Sequence, residues 1–480
     1  MTPNLPNDFI NRMRSQLGDE FNDFILSYEN PCAKSLRVNT LKCSAERYLD
    51  IVADNAKSYP DIVSWEKSGI YYRESEEPGK SPLHAAGAYY IQEASAMFPV
   101  TLMDITADVD RIGLKILDLC AAPGGKSTQI ASYMKGRGLL VSNEIIPTRA
   151  KILSENIERM GVRNALVISE EPGKLADRFP GFFDRILVDA PCSGEGMFRK
   201  HPEAALEWSP ENVEMCADRQ DMILDCAAKM LAPGGKIVYS TCTFSEAEDE
   251  GTTDRFILSH PEFEICDAPI RLFPHKVRGE GHFAVSFVRT AEKKVGLSAP
   301  EKRSKAKGGA AKTLSSAESE LLRDFVATTY AEDSFLRLMI ENAMNNGSTA
   351  GAAAEAKGVL LRFGDSLYLC PESVPDLSGL KVLRAGLKIG EFRKNRFEPD
   401  HALALASKKE EMRCCCDFDS KSAEIKGYLT GMTLTPVPEN GKTVDDFKGW
   451  CLVCTDGISL GWGKSAGGVI KNHYPKGLRV

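Results

Sequence analysis

The segment KILDLCAAPGGKST, residues 115–128, decides the fold of this chain. Its apolar part predicts a buried strand at residues 116–119, and the part after the glycine pair predicts a helix over residues 127–134. Further apolar runs of strand length follow at residues 139–142, 165–169, 185–188, 236–239 and 283–288. Helical patterns alternate with these runs, which predicts a mostly parallel, doubly wound α/β sheet.

Three more helices are predicted in this part of the chain. One covers residues 148–160 and ends at Gly161, a favourable C-terminal stop. A longer one covers residues 210–231. Ser245 and Glu248 have the spacing of a capping box, which predicts that a further helix begins there.

The composition bounds the class of protein. The chain has 480 residues, 43% apolar and 26% charged, as in an ordinary globular protein with a large core. No apolar run approaches the ~20 residues of a membrane span, and the N-terminus lacks the apolar core of a signal peptide. Fourteen cysteines without a secretory signal favour free thiols and a cytoplasmic location. The net charge of −7 means that any RNA binding must depend on local basic patches.

The chain is predicted to divide into five regions. They are an N-terminal extension at residues 1–95, the alternating α/β domain at 96–290, a polar and basic linker at 291–315, a middle domain at 316–405 and a strand-rich C-terminal domain at 406–480.

Local patterns add detail to these regions. The extension has a helical pattern at residues 9–26 and a short predicted strand at residues 35–42. The basic residues of that strand, Arg37 and Lys42, are interpreted either as an RNA contact or as a solvated strand edge. The middle domain begins with a helix predicted over residues 316–330, and turns are predicted at Asn440-Gly441 and Asp456-Gly457 in the C-terminal domain.

The turn from Cys120 to Lys126 lies at a strand-to-helix junction, where two kinds of ligand are considered. A phosphate-binding P-loop requires glycine where this chain has Cys120, and Pro123 lacks an N–H that a phosphate would use. An NTPase, with Asp189 as its metal-holding acid, is therefore disfavoured. A nucleoside fits better, because paired glycines allow close approach to the backbone, and Glu144 stands at the right distance to bind ribose hydroxyls.

Two cysteines follow strands of the predicted sheet. Cys192 lies in Asp189-Ala190-Pro191-Cys192 after one strand, and Cys242 lies in Ser240-Thr241-Cys242 after the next. Because neighbouring parallel strands end at one crevice, we expect both thiols to reach one substrate atom. A nucleophilic thiol needs a site that stabilises its anion, and the helix predicted to begin at Ser245 is one candidate.

These motifs resemble a known family. DLCAAPGGKST, the acid of SNE, ILVDAPCSGEGMFRK and LAPGGKIVYSTCTFS are similar to the signature of the Nop/Sun family of RNA cytosine-5 methyltransferases, in particular its bacterial RsmF-like branch. The similarity covers most of residues 30–290. RVNTLK resembles the family's N-terminal substrate-binding extension. GWGK and KNHYPKGLR, at residues 461–464 and 471–479, resemble its C-terminal PUA-like unit.

The resemblance implies a fold, a cofactor and a partner. The fold is a Rossmann-like methyltransferase sheet with an N-terminal RNA-binding α/β extension and a C-terminal PUA-like region. The cofactor is S-adenosylmethionine and the partner is RNA, with ribosomal RNA or a ribosomal subunit favoured over tRNA. A monomer with no membrane association is expected. A non-catalytic RNA-binding or ribosome assembly factor is the other alternative.

The resemblance also implies roles for individual residues. Cys242 attacks carbon 6 of cytosine, Cys192 assists release of the enzyme, and Asp189 binds the cytosine edge. The implied cofactor-binding residues are Cys120, Ala121, Ala122, Pro123, Gly124, Gly125, Lys126, Glu144, Arg149, Glu171 and Asp189, with Glu170 as the alternative to Glu171. Lys200 is interpreted as a contact to the site or RNA, or as plain surface charge.

Two C-terminal signals are weaker. Cys451 and Cys454 have the C-x-x-C spacing of a zinc ligand pair, but no matching second pair follows, so no metal is expected. Tyr474, Lys476 and Arg479 combine an aromatic ring with positive charge, which suits either RNA contact or a packed strand with basic tips.

Overall fold

The computed structural model describes residues 5–53, 61–108, 113–290, 314–345, 357–435 and 448–479. Almost all of the predicted linker lies outside the described residues, as does the turn predicted at Asn440-Gly441. Within the described part of the chain, no helix has both the length and the apolar character needed to cross a bilayer.

The N-terminal region is a small antiparallel sheet with helices around it. Its elements are α1 (Asn7–Leu17), α2 (Phe21–Ser27), β1 (Ser35–Val38), α3 (Ala45–Val52), β2 (Gly69–Tyr71), α4 (Pro82–Ala85), β3 (Tyr89–Ile91), α5 (Phe98–Thr101) and α6 (Ile105–Asp108). β1 is the middle strand, in the order β2-β1-β3. The helical pattern predicted over residues 9–26 is interrupted because Gly18 takes φ +52° and ends α1.

The central region contains the predicted alternation of strands and helices. Its elements are β4 (Lys115–Asp118), α7 (Gly125–Met134), β5 (Leu139–Asn143), α8 (Pro147–Arg159), β6 (Ala165–Ile168), α9 (Pro172–Arg178), β7 (Phe183–Asp189), α10 (Ala204–Glu207), α11 (Pro210–Met230), β8 (Leu231–Thr241), α12 (Glu250–Ser259), β9 (Phe263–Leu272) and β10 (His282–Arg289).

The C-terminal half contains two further four-stranded sheets. Its elements are α13 (Ser316–Thr329), α14 (Phe335–Met344), β11 (Gly358–Phe363), β12 (Ser366–Pro371), β13 (Val382–Ala385), β14 (Leu387–Arg393), β15 (Arg396–Pro399), α15 (His401–Ala406), β16 (Cys415–Phe418), α16 (Ala423–Thr430), β17 (Gly449–Thr455), β18 (Ile458–Ala466) and β19 (Val469–Asn472). The sheet orders are β11-β12-β14-β15 and β16-β17-β18-β19.

The large sheet has the order β13-β6-β5-β4-β7-β8-β10-β9. The five strands from β6 to β8 are parallel, as predicted, because each is buried on both faces: Ile116 and Leu117, adjacent in β4, belong to apolar cores on opposite sides. The edges are antiparallel, so the sheet is mixed. The chain reverses direction across the sheet beside β4, which is where an open α/β sheet holds its ligand.

Two residues that were considered as RNA contacts, Arg37 and Tyr474, are buried in the structure. Arg37 is completely buried, so it is neither a solvated strand edge nor an RNA contact. Tyr474 is also buried, with its ring 5.4 Å from that of Tyr428, and is not available to stack on a base. Both positions are covered by segments distant in sequence.

Candidate active site

The two cysteines meet at the carboxyl ends of β7 and β8. These strands are parallel neighbours, with Asp189 opposite Ser240 in the register. Cys192 lies three residues after the end of β7 and Cys242 directly follows the end of β8, and their Sγ atoms are 3.3 Å apart. Both side chains are half-buried. The predicted convergence of two thiols on one point is therefore present in the structure.

Asp189 lies beside the cysteines and is held as an anion. Its Oδ2 accepts a hydrogen bond from Lys126 Nζ at 2.8 Å, and its Oδ1 accepts one from Ser240 Oγ at 2.8 Å. Burial opposes ionisation, but the Lys126 ammonium and the nearby His282 ring outweigh it and hold the pKa of the Asp189 carboxyl well below its ordinary value. An anionic acceptor is thus fixed next to the thiols.

The Cys192 loop is fixed by a buried carboxylate. Glu248 Oε2 accepts the backbone N–H of Ser193 at 2.9 Å and an N–H of Gln220 at 2.9 Å, and the Ser193 hydroxyl donates to the other carboxylate oxygen. The capping box predicted for Ser245 and Glu248 is therefore wrong. The helix begins at Glu250, because the Glu248 carboxylate is bound by the Cys192 loop.

The later start of α12 removes the helix N-terminus as the group that stabilises a Cys242 thiolate. With α12 beginning eight residues after Cys242, the helix does not cap that residue directly. The nearest group is the other thiol: hydrogen bonding to Cys242, together with burial, raises the pKa of the Cys192 thiol well above its ordinary value. Cys192 therefore keeps its proton and can donate it toward the Cys242 sulfur.

The glycine turn is positioned by α8 and by the N-terminal sheet. Gly124 takes φ +114° and precedes the first residue of α7, a conformation that favours glycine. Arg149 donates to the carbonyl of Ala122 at 3.0 Å, and Asn156 donates to that of Pro123 at 2.9 Å. The turn therefore keeps its shape through contacts on its outer side.

The buried Arg37 supports the same turn from below. Its guanidinium donates to Gln92 Oε1 at 2.9 Å, to Thr128 Oγ1 at 2.8 Å and to the carbonyl of Gly125 at 3.1 Å. No sequence motif predicts this contact, because its acceptors lie 55 to 91 residues away.

Two carboxylates lie at the ends of β4 and β5, close to the turn. Asp118 is completely buried, which raises the pKa of its carboxyl to about 7, and Ser127 Oγ donates to it at 2.6 Å. Glu144 accepts the N–H of Ile146 at 2.9 Å and lies 3.5 Å from Arg149. Burial, with these acids nearby, raises the pKa of the Cys120 thiol above its ordinary value, so this cysteine stays neutral.

The two candidates for an adenine-contacting acid differ in surroundings. The Glu170 carboxylate is buried, pairs with Lys174 at 2.7 Å and accepts the backbone N–H of Lys381 at 2.7 Å. Glu171 is exposed at the start of α9. Glu170 therefore connects the sheet to the segment before β13, and Glu171 is the acid open to a ligand.

The residues present fit a nucleoside carrying a positive charge. The Glu144 carboxylate at the end of β5 suits ribose hydroxyls. Glycine lets the turn pack closely on the protein, because a Cβ at Gly124 would meet Leu153 at 3.1 Å and one at Gly125 would meet Gln92 and Tyr90 at 3.4 Å. Acids stand at the ends of β4, β5 and β7 at this edge, where their oxygens suit a sulfonium; Asp189 is paired with Lys126 and Glu144 with Arg149. Lys126 donates a hydrogen bond to Asp189. It is therefore not the free phosphate-binding lysine that a P-loop requires.

One residue of the site was missed by the sequence reasoning. His282, the first residue of β10, is buried with Nε2 3.5 Å from Asp189 Oδ1. Burial lowers its pKa, so the ring is neutral. No motif could have identified it, because it reaches the site only through antiparallel pairing of β10 with β8. Lys200 is exposed beyond the Cys192 loop.

The possible metal pair in the C-terminal sheet does not form a site. Cys451 faces Cys416, with Sγ atoms 3.8 Å apart, whereas Cys454 belongs to a different apolar cluster. Among the residues that the structure describes, no group of three or more His, Cys, Asp or Glu side chains could hold a metal ion.

Sequence profiles of known families match most of the chain. The 16S rRNA methyltransferase RsmB/F family matches residues 109–294, and the N-terminal domain of 16S rRNA methyltransferase RsmF matches residues 5–94. The first C-terminal domain of RsmF rRNA methyltransferase matches residues 348–406, and the methyltransferase RsmF PUA domain matches residues 416–480.

Individual relatives agree. The chain is 32% identical to ribosomal RNA small subunit methyltransferase F of Vibrio vulnificus, over 99% of this chain and 97% of that protein. It is 31% identical to the protein of the same name from Aeromonas salmonicida, over 99% and 97%. A crystal structure of a methyltransferase homolog from Pyrococcus horikoshii superposes with a TM-score of 0.52, at 25% identity, over 60% of this chain and 96% of that one.

The doubly wound sheet, the glycine turn after β4 and the acid after β5 define an S-adenosylmethionine-dependent methyltransferase with a C-terminal PUA domain. The P-loop alternative is therefore wrong. The match over nearly the whole chain is more specific: this protein belongs to the RsmF family of rRNA methyltransferases. The resemblance recognised in the sequence motifs is confirmed.

Proposed function

We propose that this protein methylates carbon 5 of a cytosine in 16S ribosomal RNA through a transient bond between Cys242 and the base. The observation that carries the proposal is the 3.3 Å approach of two thiols beside an anionic carboxylate, at the crevice of a methyltransferase sheet. The named relatives that match the full chain act on small-subunit ribosomal RNA, and the C-terminal PUA domain supports an RNA substrate.

The chemistry explains why a nucleophilic sulfur is needed. Carbon 5 of cytosine is a poor nucleophile. When the Cys242 thiolate adds to carbon 6, the electron pair of the 5,6 double bond becomes available at carbon 5. S-adenosylmethionine supplies the activated methyl group that carbon 5 attacks. Transfer of the carbon 5 proton to a water molecule then restores the double bond and breaks the bond between carbon 6 and the Cys242 sulfur.

Cys192 fits the release step. Its thiol lies 3.3 Å from Cys242 and keeps its proton because of that neighbour and its burial. It can donate that proton to the Cys242 sulfur as the bond to carbon 6 breaks, and solvent then restores the proton of Cys192. The Glu248 carboxylate fixes the loop on which Cys192 stands, so the separation of the two sulfurs is set by the fold.

Asp189 fits recognition of the base. Its carboxylate is ionised, so it can accept a hydrogen bond from the exocyclic amine or from a protonated N3 of cytosine. Stabilising that positive charge as the thiolate adds lowers the barrier, since fixed charges act strongly in a water-poor site. Lys126 and Ser240 hold the two carboxylate oxygens in place.

Residues 120–126, Glu144, Arg149 and Glu171 are proposed to hold S-adenosylmethionine. Residues 1–95 and 406–480 are proposed to bind RNA on either side of a catalytic domain at residues 96–290, with a middle domain at residues 316–405 that also contributes β13 to the large sheet. The target cytosine must leave its stack, because it has to be reached from both faces.

The test is a comparison of ribosomal RNA from cells with the protein, without it, and with Cys242→Ser. Nucleoside mass spectrometry and bisulfite sequencing should show one or more 5-methylcytidines in 16S rRNA that only the wild-type protein restores. A methyl group on another atom, or full methylation by Cys242→Ser, would refute the mechanism. No methylation by the wild-type protein would favour the non-catalytic assembly factor.

A further inference from the structure

The geometry points to a second RNA site, on the edge of the large sheet opposite to the cysteines. It is a cleft of about 2190 Å³ that we propose binds the phosphate backbone of a ribosomal RNA segment remote from the target cytosine. This inference rests on the proposed function for the identity of the RNA, and it explains how a folded RNA is selected over a short one.

The cleft lies at the amino ends of the parallel strands. One wall is formed by residues 113–115 at β4, 135–138 before β5, 161–164 before β6, and by Phe182 and Asp184 at β7. The cysteines follow the carboxyl ends of β7 and β8. The seven residues of β7 span roughly 20 Å at about 3.3 Å each, so the cleft is a separate site from the catalytic crevice.

The opposite wall comes from the N- and C-terminal regions. It includes residues 40–42, 369–376 and 405–410, which belong to the N-terminal extension, the middle domain and the start of the C-terminal domain. Small-molecule sites measure about 300–1,000 Å³. The cleft is larger than that range, which suits a polymer.

The charge of the cleft is opposite to that of the protein. The whole chain has 60 basic and 67 acidic residues, whereas the cleft is lined by ten basic and five acidic ones. The basic residues are Lys42, Arg47, Lys115, Lys135, Arg137, Arg163, Arg178, Lys357, Lys408 and Lys409. Three of the cations are already paired, Arg178 with Asp376, Lys409 with Asp417 and Arg163 with Glu411, and burial lowers the pKa of Lys42 to about 7. The remaining basic residues still outnumber the remaining acids of the lining, Asp184, Glu372 and Glu410, so a cationic excess is left for an anionic ligand.

Exposed aromatic carbon accompanies the charge. The Phe335 side chain is 37% exposed, and the guanidinium of Arg163 lies 5.9 Å from its ring. Lys115 holds its ammonium 4.3 Å above the ring of Phe182. Cations that follow a backbone and rings that accept bases are the two features of single-stranded RNA grooves. This combination favours RNA over an acidic protein segment.

The test reverses one charge on each wall, in the variant Lys135→Glu/Lys408→Glu. Both side chains are exposed and lie outside the catalytic machinery. The matched control is Lys394→Glu/Arg396→Glu, on the exposed turn between β14 and β15, away from the cleft. Each protein is titrated with full-length 16S rRNA over a range of salt concentrations, and methylation is measured on that RNA and on a short oligonucleotide around the modified cytosine.

We expect the cleft variant to bind 16S rRNA at least tenfold more weakly than the control. The slope of log K against log salt should fall by about two, one for each lost phosphate contact, and the turnover of the short oligonucleotide should stay unchanged. The neutral variant Lys135→Gln/Lys408→Gln should show a smaller loss in the same direction, and unchanged thermal unfolding shows that each variant is folded.

Three results would overturn the inference. They are an unchanged affinity and salt slope, an equal loss on the short oligonucleotide, and, when small ribosomal subunits are titrated in parallel, a loss confined to those subunits, which would assign the cleft to a protein. Failure of the wild-type protein to methylate any RNA would contradict the proposed function instead, and the binding titration would still decide the role of the cleft.

Discussion

Replacement of Lys126 by Met should raise the pKa of the Asp189 carboxyl from its depressed value to about its ordinary value. The Nζ–Oδ2 distance of 2.8 Å corresponds to about 6 kcal/mol at an effective dielectric constant of about 20. Asp189 keeps 30% of its side chain exposed, so solvent screening reduces this to about 3 kcal/mol. At about 1.4 kcal/mol per unit, loss of Lys126 raises the pKa of Asp189 by about two units.

The direction of the pH effect follows from which form of Asp189 is active. The Asp189 pKa lies well below its ordinary value in the wild-type protein, so a rise of about two units brings it close to the ordinary value of about 3.9. As the pH falls through that pKa, Asp189 gains a proton and no longer stabilises a cationic base. Methylation by Lys126→Met should therefore decline as the pH falls from about 5 to about 4, whereas Asp189 gives the wild-type protein no acid limb there.

The assay is kcat/KM from pH 4 to pH 8 at saturating cofactor. Arg149→Met is the control, because Arg149 also contacts the glycine turn but binds Ala122 and Glu144 instead of Asp189. It should weaken cofactor binding without changing the shape of the pH profile. If Lys126→Met and the wild-type protein have parallel profiles, the ion pair does not control Asp189 and the argument is wrong.

A depressed pKa also makes a stability prediction for the same variant. The stabilisation from the Asp189–Lys126 pair is present above the unfolded pKa of about 3.9 and is lost as the pH falls through the folded value. Urea unfolding at pH 7 should show Lys126→Met to be less stable than the wild-type protein by about 3 kcal/mol.

Three further substitutions test the architecture of the site. Glu248→Gln removes the buried carboxylate that binds the Cys192 loop and should lower the free energy of unfolding in urea by about 2 kcal/mol. The release of methylated RNA should slow more than the attack of Cys242 on the base. Arg37→Met should cost roughly 3 kcal/mol because its buried acceptors lose their donor, while RNA affinity per folded molecule stays the same. Gly196→Ala places a Cβ 2.8 Å from the carbonyl of Cys242 and should lower kcat at least tenfold, whereas Gly173→Ala, which meets open space, should be neutral.

The parallel strands could be predicted from the sequence because all of them have the same buried, apolar environment. Each is covered on both faces, so continuous apolar runs such as ILVD before Cys192 identify it. β9 was not predicted, because most of its residues are exposed and it lacks an apolar run. β13 was not predicted as part of this sheet, because its partner β6 lies more than 200 residues earlier.

Some residues of the candidate site could also be predicted from the sequence, and others could not. Cys192, Cys242 and Asp189 could be placed together because they follow adjacent strands, and strand order alone brings their loops together. The environments of Arg37 and of Glu248 could not be predicted, because a buried charge is decided by partners that only tertiary packing supplies. Ser245 and Glu248 matched a local pattern, but a buried tertiary hydrogen bond outweighed it.

The most direct measurement is a denaturing gel with mass spectrometry of Cys192→Ala after incubation with S-adenosylmethionine and unmodified 16S rRNA. With the release residue absent, a protein–RNA species that survives denaturation should accumulate, and digestion should place the RNA fragment on Cys242. The Cys192→Ala/Cys242→Ala double variant should form no such species. Turnover by Cys192→Ala without any trapped species, or crosslinking that persists in the double variant, would contradict a mechanism in which these two sulfurs make and break a bond to the base.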